Sequence, residues 1–251
     1  MNVLLTNDDG IHAHGLNALR EGLSGRDLRL TVVAPDREQS ATSHAITLGR
    51  PLRIDDTPRG YAVDGTPTDC VWAAVHGILK ERPDVVVSGI NHGPNLGEDV
   101  TYSGTVAAAF EAHILGIPAI ALSMTDRHEG DWAGAAALAA GLVELLRERR
   151  PARRTLLNVN FPSGPASGWG APRITRLGTR TYSEQLIENV DPRGRKYYWI
   201  GGAEPTWEGG EDTDFAVVHD GGVSVTPLHL ELTDESARTE LLEWDLSRVG
   251  S

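Results

Sequence analysis

The amino-acid sequence predicts an α/β fold built on a doubly wound, mostly parallel sheet of the Rossmann-like type. Short apolar runs alternate with helical patterns over the first 165 residues, and this alternation is typical of a parallel sheet. The runs are apolar at almost every position, as expected for strands that helices cover on both faces. After Phe161 glycine and proline become dense, and four of the six tryptophans follow. We therefore expect an α/β domain over 1–165 and a C-terminal extension of β-hairpins and a terminal helix over 166–251.

The elements of the α/β domain follow one another in a regular order. A Thr-Pro-Thr-Asp run at 66–69 predicts a helix start, because threonine caps a helix, proline fits its first turn, and an acid interacts well with the N-terminal end of the helix dipole. Gly116 and Pro118 end the Ala-rich helix that precedes them. Strands are predicted over 2–6, 28–34, 84–88, 119–123 and 155–160, with a minor one over 61–63. Helices are predicted over 16–23, 66–81, 104–115 and 131–149.

The C-terminal extension shows weaker patterns. Residues 180–182, 196–200 and 215–218 are predicted to be extended, 222–228 to form a strand and 233–246 to form the terminal helix. An exposed aromatic arm would be an apolar liability on a monomer. The aromatic residues of 166–251 therefore predict that the extension packs on the α/β domain and on a partner subunit.

Composition and charge exclude several classes of protein. Among 251 residues, 35 acids stand against 23 bases, for a formal net charge of −12. A nucleic-acid polymer is not an expected partner, because such binding needs a basic face. No stretch approaches the roughly 18 consecutive apolar residues of a membrane helix, and Cys70 is the only cysteine, so no intrachain disulfide forms. We expect a cytoplasmic protein that does not contact a membrane.

Polar residues follow three of the predicted strands, and the carboxyl ends of such strands meet at the ligand-binding edge of an α/β sheet. Asp8 and Asp9 follow the first strand, a loop with Ser40 follows the second, and Asn91 follows the strand at 84–88. Two adjacent carboxylates in a crevice repel each other unless a cation lies between them. Oxygen ligands of this kind suit Mg²⁺ or Mn²⁺ better than zinc. The alternative interpretation of Asp8 and Asp9 is a polar turn with a helix cap.

A second feature opens the Ala-rich helix. Ser103, Gly104 and Thr105 stand at its start, where free backbone N–H groups and the helix dipole favour an anion. This predicts a phosphate-binding turn, and the alternative is an ordinary N-cap. The histidines near the acidic pair, His12, His14 and His92, either line the pocket or are solvated, and the pattern leaves both open.

Motifs of several other enzyme classes are absent from the sequence. It contains no phosphate loop of the GxxxxGK[ST] type, no GxGxxG fingerprint and no GxSxG nucleophile elbow. A receiver domain needs an acceptor Asp after a central strand and a Lys after a later one, but the corresponding runs here are SGIN and LSM. A nucleotide-binding protein without turnover remains as an alternative to an enzyme.

Five long motifs resemble those of one family, and they are spread over most of the chain. NDDG, APDREQSATSHAITL, GTPTDC, SGINHGPNLGEDVTYSGTVAAAFE and TDFAVVHDGGVSVTPL closely resemble the SurE family, the stationary-phase survival proteins. Members of that family are metal-dependent 5′/3′-nucleotidases that dephosphorylate nucleoside monophosphates. The resemblance implies a SurE-like fold and a homodimer or homotetramer joined through the C-terminal extension.

The resemblance also implies the residues of the site. One divalent ion, Mg²⁺ or Mn²⁺, would be held by Asp8, Asp9, Ser40 and Asn91. The phosphate-binding wall would be formed by Asn95, Ser103, Gly104 and Thr105. The reaction implied is attack of a metal-activated water on the phosphate of a nucleoside 5′- or 3′-monophosphate, with Asp8 and Asp9 as the catalytic residues that orient or deprotonate that water. Gln39 departs from the family, in which related sequences often carry a basic residue at this position.

Overall fold

The computed structural model describes residues 1–126, 130–149, 155–181, 186–200, 206–246 and 249. The strands of the first part are β1 (Asn2–Thr6), β2 (Arg29–Pro35), β3 (Ile54–Thr57), β4 (Gly60–Val63), β5 (Val85–His92), β6 (Ala119–Met124) and β7 (Leu156–Phe161). Those of the later part are β8 (Gly170–Ile174), β9 (Thr179–Thr181), β10 (Leu186–Val190), β11 (Lys196–Ile200), β12 (Thr206–Glu208) and β13 (Gly222–Pro227). The helices are α1 (His14–Leu23), α2 (Pro67–Ala73), α3 (Gly104–Ile114), α4 (Trp132–Arg149), α5 (Asp214–His219) and α6 (Glu235–Leu241).

Within the described residues, nine strands form one sheet in the order β3-β4-β2-β1-β5-β6-β7-β13-β8. The six from β4 to β7 in this order are parallel, while β3 runs antiparallel to β4 and β13 antiparallel to β7. The chain starts at β1 in the middle, moves outward through β2 and β4, and then returns to place β5 on the other side of β1. The predicted α/β, mostly parallel fold is confirmed, and the reversal between β1 and β5 opens a crevice at their carboxyl ends.

Helices cover both faces of the sheet, which explains why its central strands are apolar throughout. Leu5 of β1 packs into the core beneath α1 and α4, whereas Leu4 packs into the core beneath α2 and α3. Helix α1 lies very close to β5, since a Cβ on Gly15 would be 1.9 Å from the carbonyl oxygen of Ile90. Among the described residues no helix combines the length and the apolar character that a membrane span needs.

The helix predicted over 66–81 is shorter in the structure. Its start is as expected: the Thr66 hydroxyl accepts from the backbone N–H of Asp69, whose carboxylate accepts from that of Thr66. Helix α2 then gives way to one wider π-helical turn over Ala74–Ile78, closed by the N–H of Leu79 on the carbonyl of Ala74 at 2.9 Å. The helical pattern predicts too long a helix because no proline follows Pro67 until Pro83.

Two predictions in the C-terminal extension are wrong in type or length. Residues 215–218, predicted to be extended, lie in α5, because the FAVV run is compatible with either a short strand or a buried helix face. The terminal helix predicted over 233–246 is limited to Glu235–Leu241, where the Asp234 carboxylate caps it by accepting from two backbone N–H groups. Strands β3, β8, β10 and β12 were not predicted. Strand β8 contains Gly170 and Pro172, which weaken a strand pattern.

Part of the C-terminal extension continues the main sheet. Strand β13 pairs with β7, and β8 pairs with β13. The rest forms two small antiparallel pairs, β9 with β12 and β10 with β11. Division of the chain into domains at residue 165 stays a prediction.

The Asp214 carboxylate joins this extension to the α/β part. Its side chain is fully buried and accepts hydrogen bonds from the backbone N–H groups of Gly97 at 2.8 Å, Gly178 at 2.9 Å and Phe215 at 2.9 Å. Burial raises the pKa of Asp214, and the three N–H groups act in the opposite direction. One carboxylate thereby holds together α5, the segment before β9 and the 3₁₀ turn Gly97–Thr101.

Replacing Asp214 with asparagine tests this junction. The amide has only one accepting oxygen, so at least one buried N–H would face an NH₂ group. We expect Asp214→Asn to lower the free energy of unfolding by about 1–3 kcal/mol, measured by urea denaturation. Asp212→Asn is the control, because Asp212 makes an exposed ion pair with Arg176, and exposed ion pairs contribute little to stability. Equal unfolding midpoints for wild type and both variants would contradict the role given to Asp214.

Candidate functional site

A cavity of about 630 Å³ lies at the carboxyl ends of β1 and β5, where the sheet topology opens its crevice. All four predicted metal ligands line it, which brings together the loops after β1, β2 and β5. Two of the predicted phosphate-binding residues, Asn95 and Ser103, line it as well. The remaining lining residues are Ala13, Glu38, Ala41, His92, Pro94, Asp99, Tyr102 and Arg180.

Asp8 is the most enclosed of the acidic residues in this cavity, with 3% of its surface exposed. The Thr105 hydroxyl donates a hydrogen bond to its Oδ1 atom. Gly104 is necessary beside it, since a Cβ there would lie 2.8 Å from the Cβ of Asp8. Burial, reinforced by the neighbouring charge of Asp9, raises the pKa of Asp8 from 3.8 to about 6 although the Thr105 bond opposes the shift.

Asp9 is bound on its other side by His92. The backbone N–H of His92 donates to Asp9 Oδ2 at 3.2 Å, and the Nδ1 atom of the same histidine lies 3.3 Å from Asp9 Oδ1. The bond to Asp9 raises the pKa of His92, against the effect of burial. Trp132 packs edge-on against the His92 ring, with centroids 4.8 Å apart, and against His14. His92 therefore lines the cavity, whereas His12 and His14 are both exposed and lie outside its lining.

The loop after β2 brings Ser40 to the cavity under backbone strain. Its neighbour Gln39 donates a backbone hydrogen bond to the carbonyl of Asp8 at 2.7 Å, which fixes the loop to β1. Ser40 Oγ donates a hydrogen bond to Glu38 Oε1 at 2.7 Å. Because the hydroxyl hydrogen is used in this bond, the lone pairs of Ser40 Oγ are available to a cation. Ala41 and Ser43 have φ angles of 56° and 54°, a left-handed conformation that costs energy without glycine and is common near functional sites.

Asn91 is oriented by its own loop. Its Nδ2 donates to the carbonyl of Gly93 at 2.9 Å, so Oδ1 is the atom that can act as a metal ligand. The register of β5 against β6 shifts between Ser88 and Asn91, and this irregularity lies directly before the candidate ligand. Such irregularities commonly redirect a side chain next to a site.

Asn95 belongs to a buried network of amides. Its Nδ2 donates to Ser123 Oγ at 2.7 Å, its backbone N–H donates to Asn160 Oδ1 at 2.8 Å, and its carbonyl accepts from the amides of Asn158 and Asn160. These partners come from β6 and β7, so two further strands hold the Asn95 loop in place. A polar residue with this many bonds is rigid, which suits a wall that receives an anion.

The predicted phosphate-binding turn divides into two parts in the structure. Ser103 Oγ accepts from the N–H of Val106 at 3.1 Å, as an N-cap does, and keeps its own proton for a second partner in the cavity. Gly104 and Thr105 lie behind the lining, where they contact Asp8 instead. A direct role of those two residues in phosphate binding stays a prediction, while their support of Asp8 is a feature of the structure.

Sequence reasoning missed the contribution of the C-terminal extension to this cavity. Arg180 of β9 forms an ion pair with Asp99 and lies over the Trp207 ring, 5.6 Å from its centroid. Its backbone N–H donates to Glu98 at 2.8 Å. No local signal marks Arg180, because its partner Asp99 is 81 residues away in the chain. The arginine adds positive charge to a wall that otherwise carries several carboxylates.

The donor atoms present fit a hard divalent cation. Among the described residues no three His, Cys, Asp or Glu side chains group as a metal site, so a hydroxyl and an amide oxygen have to complete the set of Asp8 and Asp9. Four oxygen donors suit Mg²⁺ or Mn²⁺ and not zinc. Neither aspartate forms an ion pair with a lysine or arginine in the part of the chain that the structure describes. Two adjacent, largely buried carboxylates without such a partner are a fitting place for a cation.

Comparison with known proteins confirms the resemblance that the motifs indicate. The chain matches the family profile described as Survival protein SurE over residues 3–184. It is 54% identical over 249 residues to the 5′-nucleotidase SurE of Geobacter sulfurreducens, an alignment that covers 98% of this chain and 95% of that protein. It is 49% identical over 248 residues to the 5′-nucleotidase SurE of Geotalea daltonii, covering 98% of this chain and 100% of that protein.

The fold is shared as well. The crystal structure of the SurE protein from Aquifex aeolicus aligns with a TM-score of 0.86 at 43% sequence identity, over 96% of this chain and 98% of that chain. The similarity therefore includes both the parallel sheet and the C-terminal extension. With the family profile covering more than half of its length, the chain belongs to the SurE family.

Proposed function

We propose that this protein is a metal-dependent phosphomonoesterase, a 5′-nucleotidase that hydrolyses nucleoside monophosphates to nucleoside and phosphate. The observation that carries the proposal is the pair Asp8 and Asp9, largely buried at the crevice of the sheet, beside a helix N-terminus and with hydroxyl and amide oxygens around it. Relatives named 5′-nucleotidase SurE at about half identity support the same activity. Activity toward 3′-monophosphates is part of the proposal through the family resemblance.

The proposed cation site consists of Asp8, Asp9, Ser40 and Asn91, and Mg²⁺ or Mn²⁺ is the proposed ion. A divalent cation supplies charge for the phosphoryl oxygens and lowers the pKa of a coordinated water. Thr105 holds one oxygen of Asp8 and His92 holds Asp9, so both carboxylates keep fixed positions. In this arrangement one of the two carboxylates, that of Asp8 or that of Asp9, would orient the attacking water and accept the proton that the water loses.

The phosphate is proposed to bind against the start of α3. The Ser103 hydroxyl accepts a hydrogen bond from the N–H of Val106 and donates one to a phosphate oxygen. The N-terminal end of the helix dipole favours the negative charge of the phosphate. Asn95 lines the same wall and is held rigid by the strands behind it. Gly104 and Thr105 shape this wall from behind by seating Asp8 against the helix. Positioning and charge stabilisation of this kind supply most of the catalysis in phosphoryl transfer.

Localisation and partners follow from charge and thiol chemistry. We place the protein in the cytoplasm, where a single buried free thiol is expected to persist. The partner is a small nucleotide and not a nucleic-acid polymer or a membrane, which fits a net charge of −12.

The C-terminal extension is proposed to join subunits in a homodimer or homotetramer. The pair β10 and β11 exposes apolar side chains, including Leu186 and Trp199, each 64% exposed, and Ile200, 95% exposed. Beyond α6, Leu242 and Trp244 are exposed as well. Extended apolar surface of this kind marks an interaction site.

Metal removal and an isosteric substitution test the activity. We expect phosphate release from AMP to stop in EDTA and to return with Mn²⁺ or Mg²⁺. Asp9→Asn keeps the shape and removes one charge, so it should cut the rate by a factor of about 100 or more because the cation loses a ligand. The matched control is Asp56→Asn on the exposed strand β3. Activity that persists in EDTA, or an Asp9→Asn enzyme as fast as the control, would refute the metal mechanism.

The raised pKa of Asp8 has a consequence for the metal-free protein. A folded-state pKa of about 6, above the ordinary 3.8, gives stability that is complete below pH 4 and is lost as the pH rises through 6. This loss amounts to about 3 kcal/mol at most. In EDTA at pH 8, Asp8→Asn should therefore unfold at higher urea concentration than wild type, and the difference should narrow toward pH 5. Saturating Mn²⁺ should stabilise wild type only.

The opposite order of stability at pH 8 in EDTA would contradict this account. Equal changes in stability for Asp8→Asn and Asp56→Asn would also contradict it, because the gain in stability would then have no connection with burial of the Asp8 charge.

Sedimentation tests the proposed assembly. At micromolar concentration we expect a dimer or a larger species, because burial of the exposed apolar side chains of β11 against a second subunit is favourable. Trp199→Glu should shift the distribution toward monomer, whereas Leu145→Glu, on the exposed face of α4, should not. A wild-type protein that is monomeric and fully active would contradict the proposed subunit interface.

A further inference from the structure

The cavity carries an exposed aromatic ring at the residue before the phosphate-binding helix. Tyr102 lines the cavity, and 61% of its surface is exposed. None of the other described aromatic rings stacks on it. It directly precedes Ser103, the N-cap of α3. Tyr102 is therefore the neighbour in sequence of Ser103, the residue proposed to bind the phosphate.

The backbone of Tyr102 is fixed although its ring is exposed. Its N–H donates to the carbonyl of Asp99 at 3.0 Å, and its carbonyl accepts from the N–H of Ser43 at 3.1 Å. The Ser43 hydroxyl also donates to the carbonyl of Thr101 at 2.7 Å. Ser43 adopts the strained left-handed conformation, so the loop after β2 is under backbone strain at the residue that holds this segment.

The other planar groups of the described lining already have partners. Its side chains are mostly carboxylates, amides and hydroxyls. The ring of His92 contacts Asp9 and Trp132, and the guanidinium of Arg180 contacts Asp99 and Trp207. A nucleoside monophosphate has a dianionic end and a flat aromatic end, separated by one sugar. An aromatic side chain next to the phosphate wall matches that second end, because every base has a π face that stacks on an aromatic ring.

We propose that Tyr102 is a base-binding residue, on which the nucleobase of the substrate stacks while the phosphate lies against Ser103. The proposal deepens the proposed nucleotidase function and rests on it for the orientation of the phosphate. Stacking on one face accepts purines and pyrimidines alike. The site therefore selects nucleotides over other phosphate monoesters without reading a particular base.

Two substrates that differ only by the base test this assignment. AMP and ribose 5-phosphate share the sugar and the phosphate, so the ratio of their kcat/KM values isolates the base. We expect Tyr102→Ala to lower this ratio by about tenfold, within the range that loss of base stacking produces, and Tyr102→Phe to keep it. Trp72→Ala is the matched control, because Trp72 is a partly exposed aromatic outside the cavity. An equal loss on both substrates, or no loss on either, would overturn the assignment.

A binding signal separates this inference from the activity itself. The fluorescent nucleotide 2-aminopurine riboside 5′-monophosphate is quenched when its base stacks, so wild type should quench it and Tyr102→Ala should not. Quenching by an enzyme that releases no phosphate would support the base site while the proposed function fails. Turnover without quenching by wild type would overturn the base site while the proposed function stands. A shift of Tyr102→Ala to monomer in sedimentation would also overturn it, since Tyr102 would then be a subunit contact.

Discussion

The burial of Asp8 is the constraint on which the rest of the site depends. A carboxylate enclosed between the end of β1 and the start of α3 is costly to ionise, and the structure reduces that cost with hydrogen bonds from the Thr105 hydroxyl and from the backbone of Asp8 and Thr105. Gly104 has to be glycine for the helix to approach this closely. The carbonyl of Asp8 also anchors the loop that carries Ser40. One residue thereby fixes the helix N-terminus, the loop after β2 and the position of the proposed cation site.

A second carboxylate, Asp214, plays the same organising role for the other half of the cavity. It bridges the turn that carries Asp99 and the segment that leads to Arg180 by accepting from backbone N–H groups on both. Trp207, stacked on Phe215 with centroids 5.2 Å apart, then supports the Arg180 guanidinium. The C-terminal extension is thus connected to the cavity wall through buried contacts.

The parts of the site that could be predicted are those that parallel topology brings together. Asp8, Ser40 and Asn91 each follow an apolar strand, and the carboxyl ends of parallel strands share one edge, so their convergence was evident from the pattern. Arg180 could not be found in this way, because nothing local to β9 indicates a partner 81 residues away. The direction of Thr105 was equally inaccessible: helical periodicity places it in the first turn of α3 but does not say whether its hydroxyl faces a ligand or a buried aspartate.

Charge explains why these features have to occur together. The protein carries a net charge of −12, and four of its acids, Asp8, Asp9, Glu38 and Asp99, line the cavity, so an unassisted phosphate dianion would be repelled. The divalent cation proposed at Asp8 and Asp9 would neutralise the charge of these two carboxylates, and Arg180, paired with Asp99, compensates the charge of a third acid on the wall. With this proposed cation, the acidic surroundings would act as a filter, because an anion would be attracted only to the part of the cavity that holds the cation. Dependence on metal and preference for a phosphate ester are, on this argument, two results of the same distribution of charge.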